Sequence, residues 1–163
     1  MDEFFYMEYT SPLGLLTVAS RGEKITGLWI EGQKYFAQTL PAGARLTAPA
    51  GVLKLAASWL DSYFAGERPS PCELPLAPEG SAFRRAVWEE LCAIPYGQTV
   101  SYGQLARRIA GTSARAAGGA VGHNPISIII PCHRVLGAGG GLTGYAGGVE
   151  RKQWLLRHEG AIR

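Results

Sequence analysis

Short apolar runs broken by turn residues fill the first thirty positions, and a three- and four-residue step replaces them further on. Phe4 to Glu8 leads into a Ser11-Pro12-Leu13-Gly14 turn, Leu15 to Ala19 reads as a second strand, and Ile25 to Ile30 reads as a third after the polar turn Arg21-Gly22-Glu23-Lys24. Together they predict a small antiparallel meander. Residues 31–47 carry no clear period, with a short helix expected near Tyr35-Phe36-Ala37. From about Ala50 to Ala65, Val52, Leu55, Ala56, Trp59, Leu60, Tyr63 and Phe64 recur at helical steps, and Gly66 stops the run. The aromatic stripe on this helix reads as packing against the sheet. No chemical site assembles in residues 1–66.

Pro69, Pro71, Pro75 and Pro78 then interrupt any period, so about 67–79 reads as a linker closing a first domain, 1–79, before a second, 80–163. Ser81 can cap a helix whose Phe83, Val87 and Leu91 step along one face, with Cys92 at its end read as core. Ile94-Pro95-Tyr96-Gly97-Gln98 is a turn. Ser101-Tyr102-Gly103-Gln104 has the form of a capping box, opening a helix with Leu105 and Ile109 inward and Arg107 and Arg108 outward. Gly111-Thr112-Ser113 turns the chain, with Thr112 or Ser113 as cap, into a second helix from Ala114 to about Gly122. Two short helices joined by a tight glycine turn form a helix-turn-helix pattern. The second is built almost wholly from Ala and Gly, and an interior Gly costs a helix about 1 kcal/mol. Gly118 and Gly119 therefore call for close approach, either by another helix or by a nucleic-acid backbone or narrow groove.

His123-Asn124-Pro125 ends that helix. The apolar run Ile126-Ser127-Ile128-Ile129-Ile130 reads as a buried strand, and Pro131-Cys132-His133-Arg134-Val135 follows where the run stops. Gly137, Gly139, Gly140, Gly141 and Gly144 make a loop, and a last helix is expected from about Val149 to His158 with Trp154 and Leu155 inward.

Composition places these elements in a globular protein. Of 163 residues, 47% are hydrophobic and 18% charged, and no apolar run has the length of a membrane span. Met1-Asp2-Glu3 lacks the basic start of a signal peptide, so a cytoplasmic protein is expected. The net charge of +3 divides unevenly: residues 1–79 carry six Lys/Arg against nine Asp/Glu, residues 80–163 ten against four. A basic second half fits an anionic partner such as nucleic acid, although a solvated basic surface would look the same. Fifteen of the 22 glycines also lie there, which places close contact in the same half.

Cys72, Cys92 and Cys132 are odd in number and form no Cys-x-x-Cys pair, so neither a disulfide framework nor a zinc site is indicated. Cys72, in the linker, reads as exposed. A cysteine at the end of an apolar run is readily a small core hydrophobe. The polar neighbours His133 and Arg134 point the other way, because a core strand has no use for them. A free thiol ionises near pH 8.5, and an adjacent imidazole can help form thiolate at neutral pH.

Pro131-Cys132-His133-Arg134-Val135 strongly resembles the signature of the O6-alkylguanine-DNA alkyltransferases, or methylated-DNA–protein-cysteine methyltransferases. The likeness extends through Pro95-Tyr96-Gly97, Ser101-Tyr102, Arg115-Ala116, Asn124-Pro125, Gly144-Tyr145-Ala146-Gly147-Gly148 and Trp154-Leu155-Leu156-Arg157-His158-Glu159-Gly160. It implies an α+β protein: a small N-terminal antiparallel sheet plus helix of ribonuclease H-like type, then a mostly helical domain with a winged-helix-like helix-turn-helix. It also implies a monomeric repair protein without cofactor or metal. Such a protein binds double-stranded DNA by the minor groove, flips out an O6-alkylguanine and takes the alkyl group irreversibly onto its own cysteine. O4-alkylthymine is a further candidate substrate, and cooperative assembly on DNA stays open.

By this resemblance Cys132 is the acceptor, His133 its base acting through a water, and Glu159 the group orienting the imidazole. Asn124 holds the turn beside the cysteine. Tyr102 pushes on the adjoining phosphate and hydrogen-bonds the flipped guanine. Arg115 fills the space the base vacates, with Ser101, Ala114, Gly118 and Gly119 on the DNA-binding surface, while Tyr145, Ala146, Gly147 and the backbone at Val135 shape the base pocket. A minor groove about 6 Å wide suits a helix without bulk.

The sequence departs from the family in its short Gly111-Thr112-Ser113 turn, in Ala117 for the usual Val, and in Ala146 where some members have Ser. The zinc ligands of some members are absent, since no Cys or His precedes Cys72. Three other readings compete: a lesion-binding relative that transfers nothing, disfavoured by Cys132; a helix-turn-helix regulator, disfavoured by the lack of base-reading side chains; and a cysteine hydrolase using Cys132, His133 and Glu159.

Overall fold

The computed structural model describes residues 3–142 and 144–163. The chain forms two compact units, one made by the chain up to Glu79 together with Pro125–Ile129, the other by Gly80–Asn124 and Ile130–Arg163.

In the first unit, strands β1 (Phe4–Ser11), β2 (Gly14–Arg21) and β3 (Lys24–Ile30) form the expected meander. β1 and β2 pair antiparallel from Phe4 opposite Arg21 to Ser11 opposite Gly14, and β2 pairs antiparallel with β3. A two-residue strand, β4 (Arg45–Leu46), adds parallel to β1, giving the order β3-β2-β1-β4. Helix α1 (Val52–Phe64) packs on the meander. Its buried residues are Leu53, Ala56, Trp59, Leu60 and Tyr63, whereas Leu55 is 57% exposed. The expected apolar face is thus rotated: Leu53, outside the expected stripe, faces in, and Leu55 faces out.

Two other expectations in this unit change. No helix forms at Tyr35-Phe36-Ala37, where Tyr35 and Ala37 take positive φ in consecutive turns. The proline-rich segment, read as a linker, is anchored. A 3₁₀ turn at Pro71–Glu73 is capped by Ser70, the Trp59 indole donates to the Ser70 carbonyl at 2.8 Å, and Ile25 and Leu76 form a parallel bridge. Proline lacks a donor but keeps its carbonyl, and the Pro75 carbonyl accepts from Ile25 N at 2.8 Å.

The largest correction concerns Ile126–Ile130. The run is buried, as expected, but only Ile126 has a strand partner, Leu28 of β3. Ile129 N donates to Ser127 O at 2.8 Å around Ile128, whose φ is 71°, and Cys132 N donates to Ile130 O at 2.8 Å around Pro131, with φ −81° and ψ 64°. These are two γ-turns in succession, the first of the rarer, strained hand. Burial on all sides gives an apolar run the same appearance whether it is straight or turned.

In the second unit, α2 (Ala82–Cys92) is capped by Ser81, α3 (Tyr102–Arg107) by the Ser101–Gln104 capping box, and α4 (Ala114–Gly122) by Ser113. α2 and α3 pack on α4. Trp88, which the periodicity did not single out, is 1% exposed and donates its indole N–H to Ala120 O at 2.8 Å. Burying such a ring contributes about 3 kcal/mol. Phe83 and Ile109, expected inward, are exposed and half-buried, and Cys92 is half-buried. Strands β5 (Val100–Ser101) and β6 (Val135–Leu136) pair parallel, and α5 (Val149–His158) closes the unit with Lys152, Leu155 and Leu156 buried and Trp154 half-buried. No helix among the described residues is long and apolar enough to cross a membrane.

Candidate active site

The site begins where the second γ-turn delivers the chain to a 3₁₀ turn, Cys132–Arg134, closed by Arg134 N donating to Pro131 O at 3.0 Å. The three consecutive side chains of this tight turn are all buried: Cys132 is 5% exposed, His133 0% and Arg134 5%. Burying two polar groups beside a thiol is tolerable only if each is satisfied.

Glu159, the residue capping the C-terminus of α5, partners both, one nitrogen of the imidazole excepted. His133 Nε2 lies 2.7 Å from Glu159 Oε2. Arg134 forks onto the same carboxylate, Nε to Oε1 at 2.8 Å and the second guanidinium nitrogen to Oε2 at 3.1 Å, and gives its remaining nitrogen to Ile94 O at 2.6 Å. Gly97 N donates to Oε1 at 3.4 Å. Burial alone would push the Glu159 carboxyl up, but His133 and Arg134 together hold it well below the usual carboxylate range. The carboxylate is therefore ionised and accepts only, so Nε2 of His133 carries the proton. His133 Nδ1 is left as a buried lone pair with no hydrogen-bond partner among the described residues. Burial also holds the imidazole below its ordinary value, partly opposed by Glu159. A neutral imidazole with one nitrogen fixed and the other open is a base ready to accept a proton.

Around the sulfur, Asn124 donates Nδ2 to Ile130 O at 2.9 Å and also hydrogen-bonds Cys132. Burial raises the thiol, while Asn124, the charge of Lys152 and a backbone hydrogen bond pull it down. Tyr102 opens α3, and burial followed by the charge of Cys132 raises its phenol, keeping it a neutral donor. Tyr145 meets the His133 ring edge-on, with centroids 6.5 Å apart at 83°.

Cys132, His133, Glu159, Asn124, Tyr102 and Tyr145 thus share one neighbourhood. Val135 joins it through its carbonyl, which accepts from Lys152 Nζ at 2.6 Å, and Gly147 is buried with Ala146 half-buried beside it. Ala114 and Arg115 lie elsewhere, exposed in the first turn of α4, as is Gly119, where an added Cβ would meet nothing within 4 Å. Gly118 links the two regions: a Cβ there would touch the Tyr102 ring at 3.6 Å. The Ser101 hydroxyl accepts from the backbone N–H of Gln104 at 3.0 Å.

Of two buried cations, Arg134 had been noted from the sequence without a role and Lys152 had not been noted. For Arg134 the signal was its place beside Cys132-His133, while nothing marked Lys152. Gly97 also does more than turn the chain. Its φ is +80°, and a Cβ there would stand 3.1 Å from Glu159 O, a backbone atom that cannot swing aside. Gly97→Ala is expected to cost about 1–3 kcal/mol from left-handed strain and this contact, visible as a lowered thermal midpoint.

A buried thiol beside a histidine pinned by a carboxylate thus sits in a unit whose α3–α4 pair has the helix-turn-helix form. Two family models divide the chain between them: 6-O-methylguanine DNA methyltransferase, ribonuclease-like domain, over residues 4–78, and its DNA binding domain over residues 82–161. This chain belongs to the 6-O-methylguanine DNA methyltransferase family. It is 46% identical over 155 residues to the methylated-DNA–protein-cysteine methyltransferase of Mycolicibacterium paratuberculosis, covering 94% of this chain and 91% of the relative. The protein of the same name from Haemophilus influenzae is 44% identical over 160 residues, covering 98% and 88%. Among solved structures, Mycobacterium tuberculosis OGT in complex with DNA superposes with a TM-score of 0.87 at 42% identity, covering 96% of this chain and 93% of that one.

Proposed function

We propose that this chain repairs DNA by moving the alkyl group of an O6-alkylguanine onto the sulfur of Cys132, once per molecule. The observation that carries the reading is the lone pair of His133 Nδ1, which the clamp of Glu159 on Nε2 leaves without a partner among the described residues. Its neighbour in the chain is the buried thiol. An alkyl carbon on a purine oxygen calls for a soft nucleophile in direct displacement, and thiolate is the softest a protein has. The thiol proton passes to His133; the S–C bond forms as the C–O6 bond breaks, and the bonding pair leaves with the purine. Tyr102, held neutral, donates a hydrogen bond to the base as that charge develops. The product is a thioether, which no base in the site reverses, so the chain is consumed.

DNA is the partner, and the second unit is the part assigned to binding and transfer. The α3–α4 pair lies in the minor groove in this reading. The bare face of α4 around Ala114 and Gly119 admits the backbone, and exposed Arg115 enters the stack where the base leaves it, at a cost of a few kcal/mol for flipping. Tyr145, Ala146, Gly147 and the Val135 backbone surround the flipped base. Cys72, Cys92 and Cys132 all carry thiols, which fits a reducing compartment, and the cytoplasm is the proposed location.

The test is intact mass after incubation with a duplex containing O6-methylguanine. One methyl per chain, mapped to Cys132, is expected. Tight binding to the lesion without mass gain would replace this reading with a lesion-binding module; many turnovers per chain would replace it with a hydrolase.

A further inference from the structure

Glycines at positive φ recur in the loop that follows β6, and a Cβ added at Gly139, Gly140 or Gly148 would meet nothing within 4 Å. Gly144 differs. Its φ is +80°, and an added Cβ would stand 3.0 Å from the Tyr102 hydroxyl oxygen and 3.9 Å from the ring carbon bearing it. The first distance is tighter than ordinary contact by a few tenths of an ångström. Tyr102 opens α3 behind the Ser101–Gln104 capping box, so its backbone is fixed. The ring then turns on two torsions only, and what its flank and tip touch decides where the hydroxyl stands. The flank faces α4, where a Cβ at Gly118 would lie 3.6 and 3.7 Å from two ring carbons. That is ordinary contact. The tip faces Gly144, where no side chain fits.

We propose that Gly144 is a positioning residue for transfer: by presenting no side chain it lets the loop close on the Tyr102 hydroxyl and fixes where that hydroxyl stands. This rests on the reading of Cys132 as the alkyl acceptor and Tyr102 as the donor to the flipped base. A hydrogen bond to charge developing on the leaving purine is worth most when its donor is already in place, and it weakens steeply with poor geometry. A Cβ at position 144 is accommodated either by the loop backing away or by the phenol swinging. The loop is tied at the next residue. Tyr145 meets the His133 ring edge-on at 6.5 Å, and its carbonyl accepts from Gly148 N at 3.0 Å. The phenol is therefore the part that gives.

The experiment is a cycle of four chains, parent, Gly144→Ala, Tyr102→Phe and the double variant, timed for methyl uptake in a single turnover. Gly144→Ala is expected to slow uptake about tenfold beside Tyr102. Beside phenylalanine it should add no further slowing, since the nearest remaining ring atom is 3.9 Å away. Equal slowing in both backgrounds would reduce Gly144 to loop strain and overturn the proposal, as would a Gly144→Ala chain as fast as the parent. Should alanine at φ +80° prevent folding, Gly144→Asn takes its place in the cycle, carrying the same Cβ on a residue that accepts left-handed backbone more readily. A crystal structure of the substituted chain without DNA gives the second reading. The Tyr102 hydroxyl is expected to have moved while Tyr145 keeps its place against His133; a displaced loop with the phenol unmoved would overturn the assignment. That measurement involves no methyl transfer, so failure of the acceptor reading is distinguishable from failure of the Gly144 assignment.

Discussion

Cys132→Ala is expected to take up no methyl from an O6-methylguanine duplex while still binding it, with intact mass and gel-shift titration as the paired readouts. The substitution removes the one atom that forms the new bond. No other group replaces it, because Cys72 is exposed in the proline-rich segment of the first unit, outside the His133–Glu159 clamp. The loss is therefore absolute, unlike the loss of an assisting group, which lowers a rate by about 10²–10⁴-fold. Binding survives because the surface assigned to DNA, around Ala114, Arg115 and Gly119, is a separate, exposed part of α4. The fold survives because alanine removes only a small buried volume, at about 1–2 kcal/mol. Transfer persisting in Cys132→Ala but lost in Cys72→Ala would reassign the acceptor.

Glu159→Gln is expected to have the largest effect on stability, about 3–5 kcal/mol by denaturant unfolding, together with a loss of transfer. The carboxylate is the shared acceptor for His133 and for two nitrogens of Arg134. An amide offers one acceptor oxygen, leaves a buried guanidinium without its anion and frees the imidazole to take either tautomer. A pH signature accompanies the change. Glu159 is held below its ordinary value of 4.5 in the fold, so its contribution is full above that value and lost as pH falls through the folded value. His133 is also held below its ordinary 6.5, so the unfolded chain takes up a proton that the fold resists, and stability declines as pH drops below about 6.5. The parent should lose stability in acid from near 6.5 downward. The Glu159→Gln chain should lack the portion below 4.5; equal acid sensitivity in both would remove Glu159 from the account.

Local chemistry made much of this architecture legible. Ser81 and Ser101 were expected to cap and do, with Ser113 resolving the choice at α4, because a cap depends on residues three apart in the chain. The meander followed from its turns. What escaped depends on distant partners. β5 and β6 are two residues each and exist only as a pair between residues 35 apart in the chain, Val100 and Val135. Arg134 and Lys152 are charged residues that face inward only because Glu159 and the Val135 carbonyl await them. The step between apolar residues of α1 fits two neighbouring faces, and the sheet, not the period, selected Leu53 over Leu55. The pairing of His133 with Glu159 rested on resemblance, since no spacing rule joins residues 26 apart.

The burial of the Cys132 sulfur has a bearing on endurance. Oxidation and mixed-disulfide exchange need an accessible thiolate, and burial denies both accessibility and, in the resting state, charge. A catalyst that turns over can lose a fraction of its thiols and still clear its substrate. A reagent consumed one for one cannot, since each sulfur spent on a stray oxidant is one lesion left in place. Enclosing the thiol slows every reaction except the one whose substrate is carried inside, and keeps the molecule unspent while it waits.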